Sequence, residues 1–287
     1  MIFHYLKIAF RNLCKYKTQN VISIIGLAVG LLCFCVCIYC SRFVENTDHC
    51  FANHDRIAEL NLYDGKADRY FSGSPIPLAE ELRTWALGET EAISSVTYPR
   101  ERPYYVELSP EKTLPYELET IEIDTCYNKI FTPEMVAGHW KMASQSLNSV
   151  ILSQSMAIKI FGNAESAIGK HMTLMRRLNT SPESTPKTGG IVYTIQAVMK
   201  DISLNNSLDF MQNIDMLTVN DSEGLLQSPK RHNMTGANTY VLLSPQTTCT
   251  DLEKQFSKRD YTYTLYGEAY TVTASSMGSR LKKQGAS

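Results

Sequence analysis

The residues best suited to chemistry fall in two short stretches. Asp48-His49-Cys50 with His54 gathers two imidazoles, a thiol and a carboxylate, the donor types that bind zinc. His49 and His54 are five residues apart, however, so one helical face would not present both, and no acid lies between them to serve as a base. A structural role is expected for them, and no metal site. The second stretch, Gly162 to Gly169-Lys170 (GNAESAIGK), superficially suggests a phosphate-binding loop. That loop requires four residues between the glycines and a Ser or Thr after the lysine; here there are six, followed by His171. The glycines read instead as stops to helical turns.

Other nucleophile and base candidates are scattered. His4, His139, His171 and His232 have no nucleophile motif beside them, and Ser74, Ser153 and Ser155 lack a G-x-S-x-G setting. Met156, Ile160 and Phe161 read as core. The tyrosines, among them Tyr104, Tyr105, Tyr261, Tyr263 and Tyr266, suit an interaction surface as well as ordinary strands. The expectation is a protein that is not an enzyme, with no catalytic residue, cofactor or metal. Of eight cysteines, Cys33, Cys35, Cys37 and Cys40 lie in one apolar run and Cys14 precedes it. Cys33 and Cys37 share a helical face that Cys35 does not, so the four cannot converge on one metal; they read as small polarizable apolar residues. Cys50, Cys126 and Cys249 are an odd set without repeated spacing, which is no disulfide framework, although a Cys126–Cys249 bridge stays open.

The elements that position these residues divide sharply by environment. Val21–Cys40 carries no charge and no proline, and twenty helical residues span roughly 30 Å, the thickness of a hydrocarbon core. A signal peptide would have a shorter apolar core ending in small residues, whereas Phe34, Val36, Ile38 and Tyr39 fill this end. An uncleaved transmembrane helix over 21–40 is expected. Residues 1–41 hold Lys7, Arg11, Lys15 and Lys17 and no acid, a charge of +4; the remainder holds 24 basic and 29 acidic side chains, or −5. The positive-inside bias places residues 1–20 in the cytoplasm and everything after Arg42 on the exported side. Ile2, Phe3, Leu6, Ala9, Phe10 and Leu13 recur at helical spacing opposite Lys7, Arg11 and Lys15. That pattern suits either a basic amphipathic helix on the cytoplasmic membrane surface or wet first turns of the span. Gly26 and Gly30 form a small-xxx-small pair on which a second helix could pack. The overall charge of −1 and a pI near 6.6 argue against a nucleic-acid partner.

About 230 residues follow the span, enough for a core of two subdomains. Arg56–Tyr63, Ile93–Tyr98 and Pro115–Asp124 alternate apolar and polar residues as half-buried strands do. Lys170–Arg176, Ile191–Met199 and Thr239–Leu243 also read as strands. Pro75-Ile76-Pro77 opens a helix through Leu78, Leu82 and Trp85, Ser153 caps one ending at Gly162, and Thr248–Phe256 is a third. Asn179–Gly190 reads as a surface loop. Mixed elements without a βαβ rhythm point to α+β with antiparallel sheets, and no 20–50-residue repeat suggests a solenoid.

The order of landmarks resembles the MacB/FtsX-like ABC transporter permeases. Leu6–Gly30 (LKIAFRNLCKYKTQNVISIIGLAVG) is similar to their opening, and His54-Asp55-Arg56-Ile57 to the lead-in of their periplasmic core domain. Ser74-Pro75-Ile76-Pro77-Leu78, Phe131-Thr132-Pro133 with Gly138, Ser149–Ser153, Ala157 to Phe161-Gly162, Ile168-Gly169-Lys170 and Lys200-Asp201-Ile202 then follow in the family's order, over roughly residues 1–257. The resemblance implies a MacB-like periplasmic core domain over 41–265, followed by a polar C-terminal tail over 266–287. It implies a permease homodimer or heterodimer in the lipid bilayer, a separate cytoplasmic ATPase subunit, and a periplasmic adaptor or lipoprotein as further partner. The domain would bind partner or substrate and relay conformational change. Members carry at least three later spans, and Tyr266–Ser287 contains none, so a shortened permease product or a stand-alone remnant is expected. The alternative is a single-pass anchored interaction or sensor module without transport activity.

Overall fold

The computed structural model describes residues 4, 5, 11, 15–71, 73–109, 112–174, 190–208, 211–222, 224–227 and 235–277. Lys7, the apolar positions of the expected surface helix, His232 and most of the 179–190 loop lie outside them.

Helix α1 (Lys17–Glu45) is a unit by itself. Its most apolar 18-residue window has a mean hydropathy of 2.9, and none of its residues is buried, so it is long and apolar enough to cross a membrane. It overruns the expected 21–40 span at both ends, because nothing between Lys17 and Glu45 breaks helix geometry: no proline occurs and its two glycines are isolated.

A second compact unit begins at Asp48. Its strands are β1 (Ile57–Asp64), β2 (Arg69–Tyr70), β3 (Ser74–Pro75), β4 (Thr90–Thr97), β5 (Arg100–Ser109), β6 (Lys112–Ile123), β7 (Met135–Gly138), β8 (Ser149–Ser153), β9 (His171–Leu174), β10 (Ile191–Met199), β11 (Met216–Val219), β12 (Thr235–Leu243), β13 (Thr262–Leu265) and β14 (Glu268–Ser276). Its helices are α2 (Leu78–Thr84), α3 (Tyr127–Phe131), α4 (Trp140–Gln145), α5 (Gln154–Phe161) and α6 (Cys249–Lys258). The predicted Ser153 cap is present, and a second cap not read from the sequence occurs at Thr248. The Ser153 hydroxyl accepts the Met156 N–H at the start of α5, and Thr248 with Asp251 forms a capping box on α6.

The pairings make two subdomains. β6, β11, β8, β10, β9 and β5 pair in succession and β5 returns to β6, closing a six-stranded ring. Inside it lie Tyr104, Val106, Leu118, Val150, Leu152, Met172, Tyr193, Ile195 and Met216. The second sheet is open and antiparallel, in the order β4-β12-β1-β14-β13, and meets the ring at one residue pair, Val96 with Ile123. One of its faces packs on α2 and α6 through Leu78, Leu82, Leu252 and Phe256. Its other face packs against the outside of the ring through Val96, Ile121, Tyr127, Phe131, Leu217 and Tyr240.

The class is α+β, as the mixed pattern implies. Most ladders are antiparallel, but β8–β10 and β6–β11 run parallel. Three expectations need correction. β1 up to Leu62 and the last four residues of β6 are buried on both faces rather than half-buried: Glu59, Asn61, Thr120 and Glu122 are all buried, because these stretches lie between paired strands with packed layers above and below. The stretch assigned to a polar tail contains β14, whose Val272 and Tyr270 enter the core and which pairs with both β1 and β13. α1 continues through Arg42 to Glu45, and the second compact unit begins at Asp48. Tyr104 and Tyr263 are core residues rather than an interaction surface, whereas Tyr266 is exposed.

Candidate functional site

A cavity of about 420 Å³ opens where three segments converge: Cys50-Phe51-Ala52, the end of α3 with Thr132-Pro133-Glu134, and Lys200–Ser203 after β10. Its floor is aromatic. The Phe131 ring centroid lies 5.3 Å from that of Phe51, 4.7 Å from Tyr127 and 5.2 Å from Tyr240. Its rim is charged. Lys200 Nζ donates to Glu134 Oε2 at 3.0 Å, and Asp201 Oδ1 accepts from Ser155 N and Oγ at 3.1 and 2.9 Å, tying the start of α5 to the rim. Two of the motifs that carry the family resemblance, Phe131-Thr132-Pro133 and Lys200-Asp201-Ile202, therefore meet in one place. An aromatic floor under a polar rim can hold an apolar group while orienting a polar one.

The Asp48-His49-Cys50-His54 cluster flanks this cavity and is structural. The Asp48 carboxylate accepts the Ser207 N–H at 2.6 Å, and its own N–H donates to Asn205 at 3.1 Å, so it anchors the loop after β10. The His49 and His54 rings lie tilted against each other with centroids 4.4 Å apart, and His54 Nδ1 lies 3.1 Å from the Phe51 carbonyl oxygen. Burial, reinforced by Asp48, pushes the Cys50 thiol up, away from the thiolate a nucleophile or metal ligand requires. Among the described residues no group of three His, Cys, Asp or Glu side chains is placed to hold a metal ion. Cys126 and Cys249 are both free thiols.

A second, smaller cleft of about 160 Å³ is lined by Ile76, Glu80, Arg83, Ser95, Asp124, Leu226 and Gln227. Its charges are committed to the fold. Arg83 pairs with Asp124 and donates Nε–H to the Ile93 carbonyl at 3.0 Å. Asp124 also accepts from Ser94 Oγ, Ser95 N and Cys126 N at 2.7, 3.0 and 2.9 Å.

Next to the cleft, one end of the ring holds a polar group that sequence reading missed. Arg100 and Arg102 on β5 and Glu122 on β6 share the inward face with Tyr104 and Leu118, following the two-residue period of a strand. Asp221, after β11, lies 4.0 Å from Arg102, and its side chain is only 1% exposed. Glu122 accepts the Leu225 and Leu226 N–H groups at 2.7 and 2.9 Å. Burial raises its pKa from 4.5 to about 7, with Asp221 adding to the rise; the two backbone donors and Arg102 oppose it. Burial likewise pushes Tyr104 up to about 12 and lowers Arg100. The only sequence signal for this group was the even spacing of Arg100, Arg102 and Tyr104 along a segment not read as a strand.

The expected membrane-surface residues are distributed as follows. Arg11 and Lys15 are helical and exposed, and Lys17 begins α1. Gly26 and Gly30 lie one turn apart on α1, and a Cβ at either would meet open space.

No protein-family model matches the sequence, and no curated protein matches it. Solved structures do match. A domain of a permease protein from Porphyromonas gingivalis aligns at TM-score 0.57 and 21% identity, over 79% of this chain and 93% of that one. The periplasmic region of MacB from Actinobacillus actinomycetemcomitans aligns at TM-score 0.50 and 14% identity, over 83% and 94%. The extracellular domain of the noncanonic ABC-type transporter YknZ from Gram-positive bacteria aligns at TM-score 0.44 and 12% identity, over 76% and 99%. The chain thus has the fold of a MacB-like periplasmic domain, preceded by one helix able to cross a membrane.

Proposed function

We propose that the protein is the membrane-anchored N-terminal portion of an ABC-type permease. Its Asp48–Ser287 domain binds a partner or substrate in the periplasm and relays conformational change driven by a separate ATPase. The observation that carries this reading is the combination of a long apolar helix with a domain of MacB-like fold directly after it. The basic residues Lys7, Arg11, Lys15 and Lys17 hold the N-terminus at the cytoplasmic surface of the inner membrane. The helix pairs with a second permease copy through Gly26 and Gly30, where the absence of side chains lets backbones approach. The large cavity supports a binding role for the domain.

Crosslinking in native membranes followed by affinity purification of the full chain tests the proposal. A second permease copy and a nucleotide-binding subunit are expected in the product, and Gly26→Leu with Gly30→Leu should reduce copy-to-copy crosslinks at least severalfold. Recovery of the chain without any ATPase would leave the anchored interaction module as the better reading. A membrane-impermeant maleimide applied to intact cells with a permeable outer membrane should modify the exposed Cys50 and leave Cys14 untouched. The reverse pattern would invert the proposed orientation.

A further inference from the structure

The two ends of the ring differ in chemistry. Strand β8 starts at Ser149, opposite Val219, and runs away from it to Ser153, where α5 begins and adds Met156, Ala157 and Ile160 to the apolar interior. Asp221 follows Val219, so the polar group of Arg100, Arg102 and Asp221 stands at the opposite end. The mouth of a closed sheet is a recurrent place for small-ligand sites.

Charge at this mouth is not fully compensated. Glu122 already accepts two main-chain N–H groups, one on each oxygen. Arg102, whose side chain is 25% exposed, is 4.0 Å from Asp221, an ion pair too long for a hydrogen bond. Arg100, two residues earlier on the same face of β5, is partly buried, and its guanidinium makes no hydrogen bond or ion pair with any described residue. Burial and the neighbouring Arg102 both act against its charge, and Glu122 supports it. A guanidinium held beside another, short of water and without an acceptor, carries a cost that an incoming anion would relieve.

Two further donors lie deeper in the ring. Tyr104 and Tyr193 are both 0% exposed, their ring centroids are 5.9 Å apart, and neither hydroxyl has a hydrogen-bond partner among the described residues. Arg102 and Asp221 are within electrostatic reach of both phenols. Burial pushes both phenols up, so each keeps its proton and remains able to donate.

We propose that this mouth is a binding site for an oxyanion, the phosphate or carboxylate group of a small ligand, held by the guanidinium forks of Arg100 and Arg102 above the Tyr104 and Tyr193 hydroxyls. Arginine forks match the paired oxygens of either group. Asp221 balances Arg102, which leaves the charge of Arg100 for one acidic group. The site is separate from the 420 Å³ cavity and stands whether or not the chain works with an ATPase.

Titration of the full chain in a non-ionic detergent tests the site, read from the arginine Nε–H signals by NMR at neutral pH. Inorganic phosphate or acetate replaces chloride at constant ionic strength. Saturable shifts of the Arg100 and Arg102 signals are expected with at least one anion, at a Kd on the order of 10 mM or tighter. Saturation by phosphate alone assigns a phosphoryl group, by acetate alone a carboxylate, and by both the shared oxyanion chemistry. Arg100→Gln should weaken binding about tenfold or more, the worth of a charged hydrogen bond. Signals that drift without saturating for both anions, or an equal Kd in Arg100→Gln, overturn the proposal. Should Arg100→Gln fail to fold, Tyr193→Phe decides: binding weakened about threefold supports the site, and unchanged binding removes it.

Discussion

Gly138→Ala is expected to destabilise the domain by about 4 kcal/mol, combining left-handed backbone strain with overpacking. Gly138 ends β7 with φ of 70°, and a Cβ there would lie 2.2 Å from the Gln196 carbonyl oxygen and 2.8 Å from the Ala197 Cα. Both obstacles are backbone atoms of β10, a strand that also pairs with β8 and β9, so no side chain can swing aside. Relief requires β7 to separate from β10, which would also displace α4 and the Glu134–Lys200 rim of the large cavity. Thermal unfolding of the full chain in detergent should show a midpoint lowered on the order of 10 °C. A loss below about 1 kcal/mol would mean that β7 does not approach β10 so closely.

Phe131→Ala should be comparably damaging, at about 3–5 kcal/mol. Phe131 is 1% exposed and touches three aromatic rings: Tyr127 one turn earlier on its own helix α3, Phe51 ahead of β1, and Tyr240 on β12. Its loss removes buried contact area and joins the vacated volume to the neighbouring 420 Å³ cavity. Phe131→Leu keeps most of that volume and should cost less than about 2 kcal/mol. Denaturant unfolding of both variants separates packing from any role in binding, because a binding role would weaken partner capture beyond what stability accounts for. Equal stability of wild type and Phe131→Ala would contradict the aromatic floor described here.

Sequence patterns carried far where they were local. The membrane-length helix, the Ser153 cap, the helix after Thr248 and the Ile191–Met199 strand are set by residues within a few positions of one another, and all are seen. Strands recognised only by their partners were missed. Arg100–Ser109 begins with three polar residues and a proline, and its apolar positions are spaced as Tyr104, Val106 and Leu108 among charges; β6 and β9 make it a strand. Met216–Val219 is only four residues long and gains its identity from β6 and β8 on either side. β14 was hidden by its small and polar residues, TVTASS, which pair with the buried β1.

The large cavity was partly legible and the ring-end group was not. Phe131-Thr132-Pro133 and Lys200-Asp201-Ile202 stood out by resemblance, yet they are some 70 positions apart, and only folding brings them to one rim. Glu122 illustrates the opposite error. Alternation in β6 assigns it to a wet face, because a polar residue between Ile121 and Ile123 ordinarily points to solvent. Ring closure turns that face inward.

By itself, the sequence determined the membrane-length apolar helix, the charge asymmetry about it, the α+β class and the Ser153 cap, since each depends on short-range spacing and bulk composition. Only the tertiary structure decided that six strands close into a ring, that Asp48 serves as a loop anchor, and that Glu122 is buried against the backbone of Gly224–Leu226. Those outcomes depend on which strands become neighbours. Burial, and with it the proton affinity of a carboxylate, is a property of the assembled layers rather than of a residue's position in the chain.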